Sequence, residues 1–131
     1  MDRVIKNLNL VASPKTPLVN FNCTDGVLEL RGRSIPENSI EFYQLLNTWI
    51  DNYASNPCEK TLMEVKLEYF NTSSSKCILD IFKKLEKLNG QGTEVSVNWC
   101  YEVEDEDMKE AGEDYQAIVR LPFKMIEVEE I

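Results

Sequence analysis

Apolar and polar residues alternate strictly in several segments of this chain, and segments of helical period separate them. Alternation is typical of strands with one buried and one wet face, whereas the helical period gives a helix with one apolar stripe. The alternating segments are residues 17–22, 27–32, 63–69, 95–101 and 119–125. Within 63–69 the alternation places Tyr69 on the dry face. The first helical segment begins at Asn38 and has an apolar stripe that includes Leu45, the second begins in the stretch 71–75, and the third spans 104–114. The pattern predicts the element order β-β-α-β-α-β-α-β.

This order predicts an α/β fold with one mixed sheet. The Asp25-Gly26 step favours an opening antiparallel hairpin, and strands joined through single helices pair in parallel by right-handed crossovers. Because every strand alternates, we expect the helices to pack mainly on one face of the sheet. Pro122 indicates that the last strand lies at an edge or beside a bulge. A length of 131 residues fits a single domain over residues 1–131.

The net charge and the N-terminal sequence indicate which partners and which location to expect. A net charge of −9 disfavours nucleic-acid and membrane-surface partners. Residues 1–12 have no apolar run long enough for a signal peptide or a membrane span, so we expect a cytoplasmic protein.

The residue types also disfavour catalysis. The chain has no histidine, and its four cysteines are scattered without a C-x-x-C pair, so we expect reduced packing thiols and no metal. Without histidine, the commonest general base is missing. We therefore expect a protein that is not an enzyme and that needs no cofactor.

Two polar joints are predicted to meet at one end of the sheet. Residues 36–39, Pro36-Glu37-Asn38-Ser39, connect the second strand to the first helix. Residues 71–75, Asn71-Thr72-Ser73-Ser74-Ser75, connect the third strand to the second helix. Both connections leave the carboxyl ends of parallel strands, which is where open α/β sheets usually meet partners or ligands.

The second joint carries four consecutive hydroxyl residues. One side chain suffices to cap a helix, and further serines are mediocre helix formers, so four exceed the structural need. A phosphorylated side chain there would meet unpaired amides and the positive end of the helix. The run therefore indicates a phosphoacceptor. The alternative is a small enzyme or small-ligand-binding protein using the same rim, which a deep pocket lined by convergent polar groups would favour.

The two joints carry a family resemblance that extends over nearly the whole chain. Pro36-Glu37-Asn38-Ser39 and the stretch 68–74, Glu-Tyr-Phe-Asn-Thr-Ser-Ser, are followed by Val-Ser-Val-Asn-Trp at 95–99 and Leu-Pro-Phe at 121–123. Together they resemble the SiaC family of bacterial STAS-like phosphoproteins, which are related in fold to anti-sigma factor antagonists. The resemblance implies a single STAS-like domain.

It also implies a signalling switch without catalytic activity. In the family, a Thr of the Asn-Thr-Ser-Ser motif accepts phosphate from a dedicated Ser/Thr kinase, and a phosphatase removes it. The unphosphorylated form engages a target, such as a diguanylate cyclase in cyclic di-GMP signalling and biofilm regulation. Thr72 takes the acceptor position here, whereas alignment to the broader antagonist group favours Ser73. Asn71 stands where those antagonists carry Asp. The implied partner-binding residues are Pro36, Glu37, Asn38, Ser39, Asn71 and Ser74.

Overall fold

Within residues 6–131, which the computed structural model describes, six strands form one mixed sheet and three helices connect four of them. Residues 1–5, which begin the stretch predicted to lack a signal peptide or membrane span, lie outside the described residues. The strands are β1 (Leu8–Leu10), β2 (Leu18–Phe21), β3 (Val27–Ser34), β4 (Lys60–Phe70), β5 (Glu94–Glu102) and β6 (Phe123–Val128). The helices are α1 (Ser39–Tyr53), α2 (Thr72–Leu88) and α3 (Glu106–Ile118).

Neighbours in sequence are also neighbours in the sheet, whose strand order is β1-β2-β3-β4-β5-β6. The first three strands pair antiparallel, and β3 to β6 pair in parallel. The three crossovers all advance in one direction, so right-handed connections place α1, α2 and α3 on the same face. The predicted fold class is confirmed.

The covered face holds the core. Met63, Val65 and Leu67 of β4 point toward the helices and are buried, as the alternation predicted. Trp99 on β5 is fully buried, and its ring contacts both Phe70 and Tyr115. This aromatic cluster ties the end of β4 to α3.

The opposite face of the sheet carries charged side chains, and none of the three helices within residues 6–131 covers it. Lys66 lies between two carboxylates, 3.4 Å from Glu29 and 3.6 Å from Glu64. Glu29 and Glu64 are paired directly across β3 and β4, where two like charges would otherwise repel each other. Lys66 therefore offsets a repulsion that the strand register imposes.

The largest differences from the predicted elements are at the two edges of the sheet. A short first strand, β1, pairs with β2 at one edge of the sheet. The third helix continues to Ile118, four residues beyond its predicted end, and the last strand begins only after Pro122. That strand, β6, is the other edge of the sheet, as Pro122 indicated.

Two side chains assigned to apolar stripes are exposed instead. Tyr69 was expected on the dry face of its strand, but the register shifts between Gly32 and Arg33, so Glu68 is left without a partner. As a result, Phe70 is partly buried and Tyr69 is exposed. On α1, Leu45 faces solvent, while Tyr43 is buried in the core.

Candidate functional site

The ends of β3 and β4 lie side by side and form a rim from which α1 and α2 both begin. The Asn71 N–H donates to the Ser34 carbonyl oxygen at 3.1 Å, which closes the gap between the two strand ends. The hydroxyls of Ser39 on α1 and Ser73 on α2 are 2.7 Å apart. The prediction that the two polar joints are neighbours is confirmed.

Asparagine side chains cap both helices at this rim. The Asn38 carboxamide oxygen accepts the Glu41 N–H at 3.1 Å, and the Asn71 carboxamide oxygen accepts the Ser74 N–H at 2.9 Å. Both asparagines have the extended backbone that is typical of an N-cap. Since Asn71 already caps α2, none of the four hydroxyls that follow is needed for that purpose.

A chain of hydroxyls runs from the core to the rim. Tyr43 lies 2.6 Å from Ser34, which donates to Ser74 at 2.9 Å. Ser74 is 3.4 Å from Ser39, and Ser39 reaches Ser73. Ser73 in turn donates to the Asn71 carboxamide oxygen at 3.1 Å, where the chain ends. Each hydroxyl has one proton, so this order lets every member donate once toward Asn71.

Ser75 belongs to a separate contact with α3. The Tyr115 hydroxyl donates to the Ser75 carbonyl oxygen at 2.8 Å and lies 3.0 Å from the Ser75 hydroxyl. Burial raises the pKa of Tyr115, although its hydrogen bond with Ser75 opposes the rise. Burial likewise raises the pKa of Tyr43 well above its usual range, against the opposing effect of Ser34. Both phenols therefore remain protonated donors at neutral pH.

Thr72 differs from the other three residues of the hydroxyl run. Its side chain is exposed, and in the part of the chain that the structure describes its hydroxyl has no hydrogen-bond partner. The N–H groups of Thr72 and Ser73 lie in the first turn of α2, where a helix supplies no acceptor of its own. A phosphate on Thr72 would thus form next to two amide donors.

The predicted site residues divide into an exposed and a buried set. Glu37, Asn38, Thr72 and Ser73 are exposed, and Asn71 is partly so. Pro36, Ser39 and Ser74 are buried, so their side chains shape the rim from beneath.

A groove between α2 and α3 begins at Thr72. It has a volume of about 420 Å³, and the lining includes Phe70, Ser75, Leu79 and Tyr115. A smaller hollow of about 270 Å³ adjoins it and shares Phe70. The floor is largely apolar and the groove is open to solvent. It resembles a docking surface more than a deep pocket with converging polar groups.

Exposed apolar side chains stand around the same rim. Ile40 in the first turn of α1 is 76% exposed, Tyr69 at the end of β4 is 55% exposed and Val103 follows β5. Sequence reasoning missed all three as rim residues. Ile40 could have been found, because it lies off the apolar stripe of α1 directly after the capped joint. Tyr69 could not, because its exposure results from the irregular register of β4.

Metal ligands, membrane-spanning helices and a second hollow would be further candidate sites among the described residues. Over residues 6–131, no group of three or more Cys, Asp or Glu is placed to hold a metal ion, and no helix is both long and apolar enough to cross a membrane. A larger hollow of about 570 Å³ lies between α1 and α2, lined by Ile50, Asp51, Lys84 and Leu88 among others. It is at the far end of the helices from Thr72.

Comparison with known proteins gives concordant matches. Residues 10–128 match the model of a family described as SiaC family regulatory phosphoprotein. An uncharacterized protein of Pseudomonas aeruginosa (strain UCBPP-PA14) is 29% identical over 119 residues, covering 91% of this chain and 94% of that protein.

Solved structures of SiaC from Pseudomonas aeruginosa share the fold. Apo-SiaC superposes with a TM-score of 0.84 at 27% identity, covering 93% of this chain and 99% of that chain. A second match, with a TM-score of 0.86 at 28% identity, covers 92% of this chain and 99% of that chain. It comes from the crystal structure of the diguanylate cyclase SiaD in complex with its activator SiaC.

Proposed function

Because this chain belongs to the SiaC family of regulatory phosphoproteins, we propose that it is a cytoplasmic signalling switch whose partner binding is controlled by reversible phosphorylation of Thr72. The observation that carries the assignment is the exposed hydroxyl of Thr72, which has no hydrogen-bond partner among residues 6–131, beside two hydroxyls that are already engaged. Ser73, the second candidate, contacts Ser39 and Asn71, and Ser74 is fully buried. A kinase could reach Thr72 without first breaking contacts of the rim.

The proposed partners are a cognate Ser/Thr kinase, a phosphatase and a signalling target. The SiaC of Pseudomonas aeruginosa is the activator of a diguanylate cyclase, so a diguanylate cyclase is the first target to test. The role is one of binding and not of catalysis, which agrees with the open, largely apolar groove at the rim.

The target surface is the exposed part of the rim. Glu37, Asn38 and the exposed Ile40 lie at the start of α1, and the exposed Tyr69 lies at the end of β4. Apolar side chains flanked by polar ones are typical of protein-binding surfaces. Pro36, Ser39, Asn71 and Ser74 would support this surface by fixing the starts of α1 and α2.

Phosphorylation should act on binding and not on folding. At the start of α2 the added charge is locally favourable, by about 0.3–1 kcal/mol when exposed. A target docked on the rim would have to desolvate and accommodate a dianion on a protein whose net charge is already −9. A loss of about 3 kcal/mol would weaken binding more than a hundredfold, which is enough for an off switch.

The acceptor can be identified by phosphate incorporation. The protein purified from its own host should carry one phosphate that phosphatase treatment removes, as measured by intact mass. Thr72→Ala should abolish incorporation by the cognate kinase, whereas Ser73→Ala should retain it. Incorporation that survives in Thr72→Ala and is lost in Ser73→Ala would move the acceptor to Ser73.

The direction of the switch can be tested on the same variants. Thr72→Asp, or the phosphorylated protein, should have a thermal midpoint within a few degrees of that of the unphosphorylated protein. It should no longer bind the diguanylate cyclase. Thr72→Ala should bind it constitutively. A collapsed midpoint would indicate a folding effect, and tighter binding on phosphorylation would reverse the switch.

A further inference from the structure

Two of the four cysteines meet at the end of the sheet opposite the rim. Cys23 lies in the turn between β2 and β3, and Cys58 lies between α1 and β4. The Cys58 thiol donates to the Cys23 carbonyl oxygen at 3.2 Å and lies 3.5 Å from the carbonyl oxygen of Thr24. A carbonyl oxygen is less than about 2.8 Å from its own Cα, so the Cys58 sulfur lies within roughly 6 Å of the Cys23 Cα.

The fold holds this approach in place. Gly26 has a φ of 75°, and a Cβ there would lie 3.0 Å from the Cys58 Cβ and would overlap the Lys60 carbonyl oxygen. Only glycine therefore lets the turn pack so closely on Cys58. The Cys58 N–H donates to the Tyr53 hydroxyl at 3.0 Å, and the Cys23 N–H donates to the Asn7 carboxamide oxygen at 2.9 Å. Both cysteines are thus on fixed backbone.

We propose that Cys23 and Cys58 form an oxidative modification site that reacts with low-molecular-weight disulfides, such as oxidised glutathione, and is converted to an intramolecular disulfide. In the structure the Cys58 thiol donates to the Cys23 carbonyl oxygen and the Cys23 thiol donates to the Asn7 carboxamide oxygen at 3.1 Å, so both side chains must rotate to bring the two sulfurs to the bonding distance of about 2.05 Å.

The conversion takes place in two exchange steps. The Cys58 thiolate attacks one sulfur of oxidised glutathione, which forms a mixed disulfide and releases one glutathione thiolate. The Cys23 thiolate then attacks the Cys58 sulfur and releases the second. The two protein sulfurs are oxidised by two electrons, the reagent is reduced to two thiols, and the two protein protons end on the released glutathione thiolates.

Accessibility makes the reaction selective for this pair. Cys23 and Cys58 are partly exposed, whereas Cys77 and Cys100 are buried. Burial also raises the pKa of the Cys77 and Cys100 thiols, which reduces their reactive thiolate fraction.

The disulfide would join the hairpin turn to the connection that leads into β4. It closes a loop of roughly 35 residues, and a cross-link of that size should raise the thermal midpoint by on the order of 10 °C. Because the pair lies at the opposite end of the sheet from Thr72, oxidation should leave phosphate incorporation unchanged.

Incubation of the native protein with oxidised glutathione tests the proposal. We expect the loss of two titratable thiols, a mass lower by two hydrogens, no retained glutathione and a single cross-linked peptide pair containing Cys23 and Cys58. The thermal midpoint should rise and should return to its first value with a reductant. Absence of reaction, a retained mixed disulfide on the wild-type protein, a dimer or a different pairing would each overturn the proposal.

Two single variants provide matched controls. Cys23→Ser, which removes the resolving thiol, should stop at a glutathione adduct on Cys58 and should show no rise in the thermal midpoint. Cys77→Ser, which removes a buried thiol, should form the disulfide as the wild-type protein does. Circular dichroism before oxidation checks that each variant is folded. The experiment on the wild-type protein tests the proposal even if a variant does not fold.

Discussion

Ser74 lies in the middle of the hydroxyl chain, between Ser34 and Ser39. Its hydroxyl is fully buried, so Ser74→Ala would leave the Ser34 hydroxyl proton without its acceptor. We expect a loss of about 1–2 kcal/mol in the free energy of unfolding, measured by urea denaturation. Ser73→Ala is the matched control, because Ser73 is exposed and its partner Asn71 is partly exposed and can bond to water. Its other partner, Ser39, still has the contact with Ser74. An equal loss in both variants would contradict a buried, cooperative chain.

Gly112 on α3 packs directly against the indole of Trp99. A Cβ at this position would overlap Trp99 Cδ1, lie 2.6 Å from Trp99 Nε1 and lie 2.8 Å from Met125 Cε. The same indole nitrogen donates to the Met108 carbonyl oxygen at 2.9 Å, so moving the ring would cost that bond as well.

Gly112→Ala is therefore expected to destabilise the protein by about 1–3 kcal/mol through overpacking, although alanine is the better helix former by about 1 kcal/mol. Thermal denaturation measures the change. Glu113→Ala, on the exposed side of the same helix, should stay within about 0.5 kcal/mol of the wild-type protein. A gain in stability for Gly112→Ala would mean that α3 shifts away from the sheet at little cost.

The sequence predicted the rim and two candidate acceptors, Thr72 and Ser73, and only the family resemblance favours Thr72. Thr72 and Ser73 have the same local context, since both follow the cap Asn71. They are distinguished by the contact of Ser73 with Ser39, which is 34 positions earlier and on another helix. Such a contact depends on how α1 and α2 pack, and no local pattern contains that information.

Between elements, Glu86 joins α2 to the segment after α3. Its carboxylate accepts the Arg120 N–H at 2.7 Å and lies 3.6 Å from the Lys83 ammonium. The backbone hydrogen bond from Arg120 is the main reason that the pKa of Glu86 is lowered. A carboxylate with a lowered folded-state pKa stabilises the fold above its unfolded pKa and loses that contribution as pH falls.

Glu86→Gln should therefore be less stable than the wild-type protein at neutral pH, and the difference should fade as pH falls below the usual range for glutamate, about 4.3. Thermal midpoints measured across this range test the prediction. Glu113→Gln, an exposed carboxylate on α3, serves as the control and should show little difference at any pH. A Glu86→Gln deficit that persists unchanged at low pH would indicate lost packing and not lost charge.

At the level of elements, alternation alone predicted five strands and their inward faces, because one side of the sheet is dry and the other wet. Alternation failed where the pairing between strands, and not the pattern within one strand, determines the structure. The three residues of β1 are too few to show a period, and they form a strand because β2 offers an edge. The exposure of Tyr69 follows from a register shift between β3 and β4, which a single strand cannot reveal.

For the whole molecule, the net charge of −9 should make stability depend on salt. Compaction brings like charges together, and added salt screens their repulsion. Raising sodium chloride from about 10 mM to about 200 mM at pH 7 should raise the thermal midpoint by a few degrees. Near the isoelectric point of about 4.5 the gain should disappear. A gain of equal size at both pH values would point to salting-out of apolar surface instead.

The consecutive strand order has a consequence for synthesis on the ribosome. From β2 onward, each strand of the described sheet pairs with the one made just before it, so it finds a partner already translated when it emerges. The β2–β3 hairpin can form first, and each later helix and strand can add to an edge that already exists. Such vectorial assembly keeps sequence separations between contacting residues short and limits the time for which an apolar strand edge is left open to other chains.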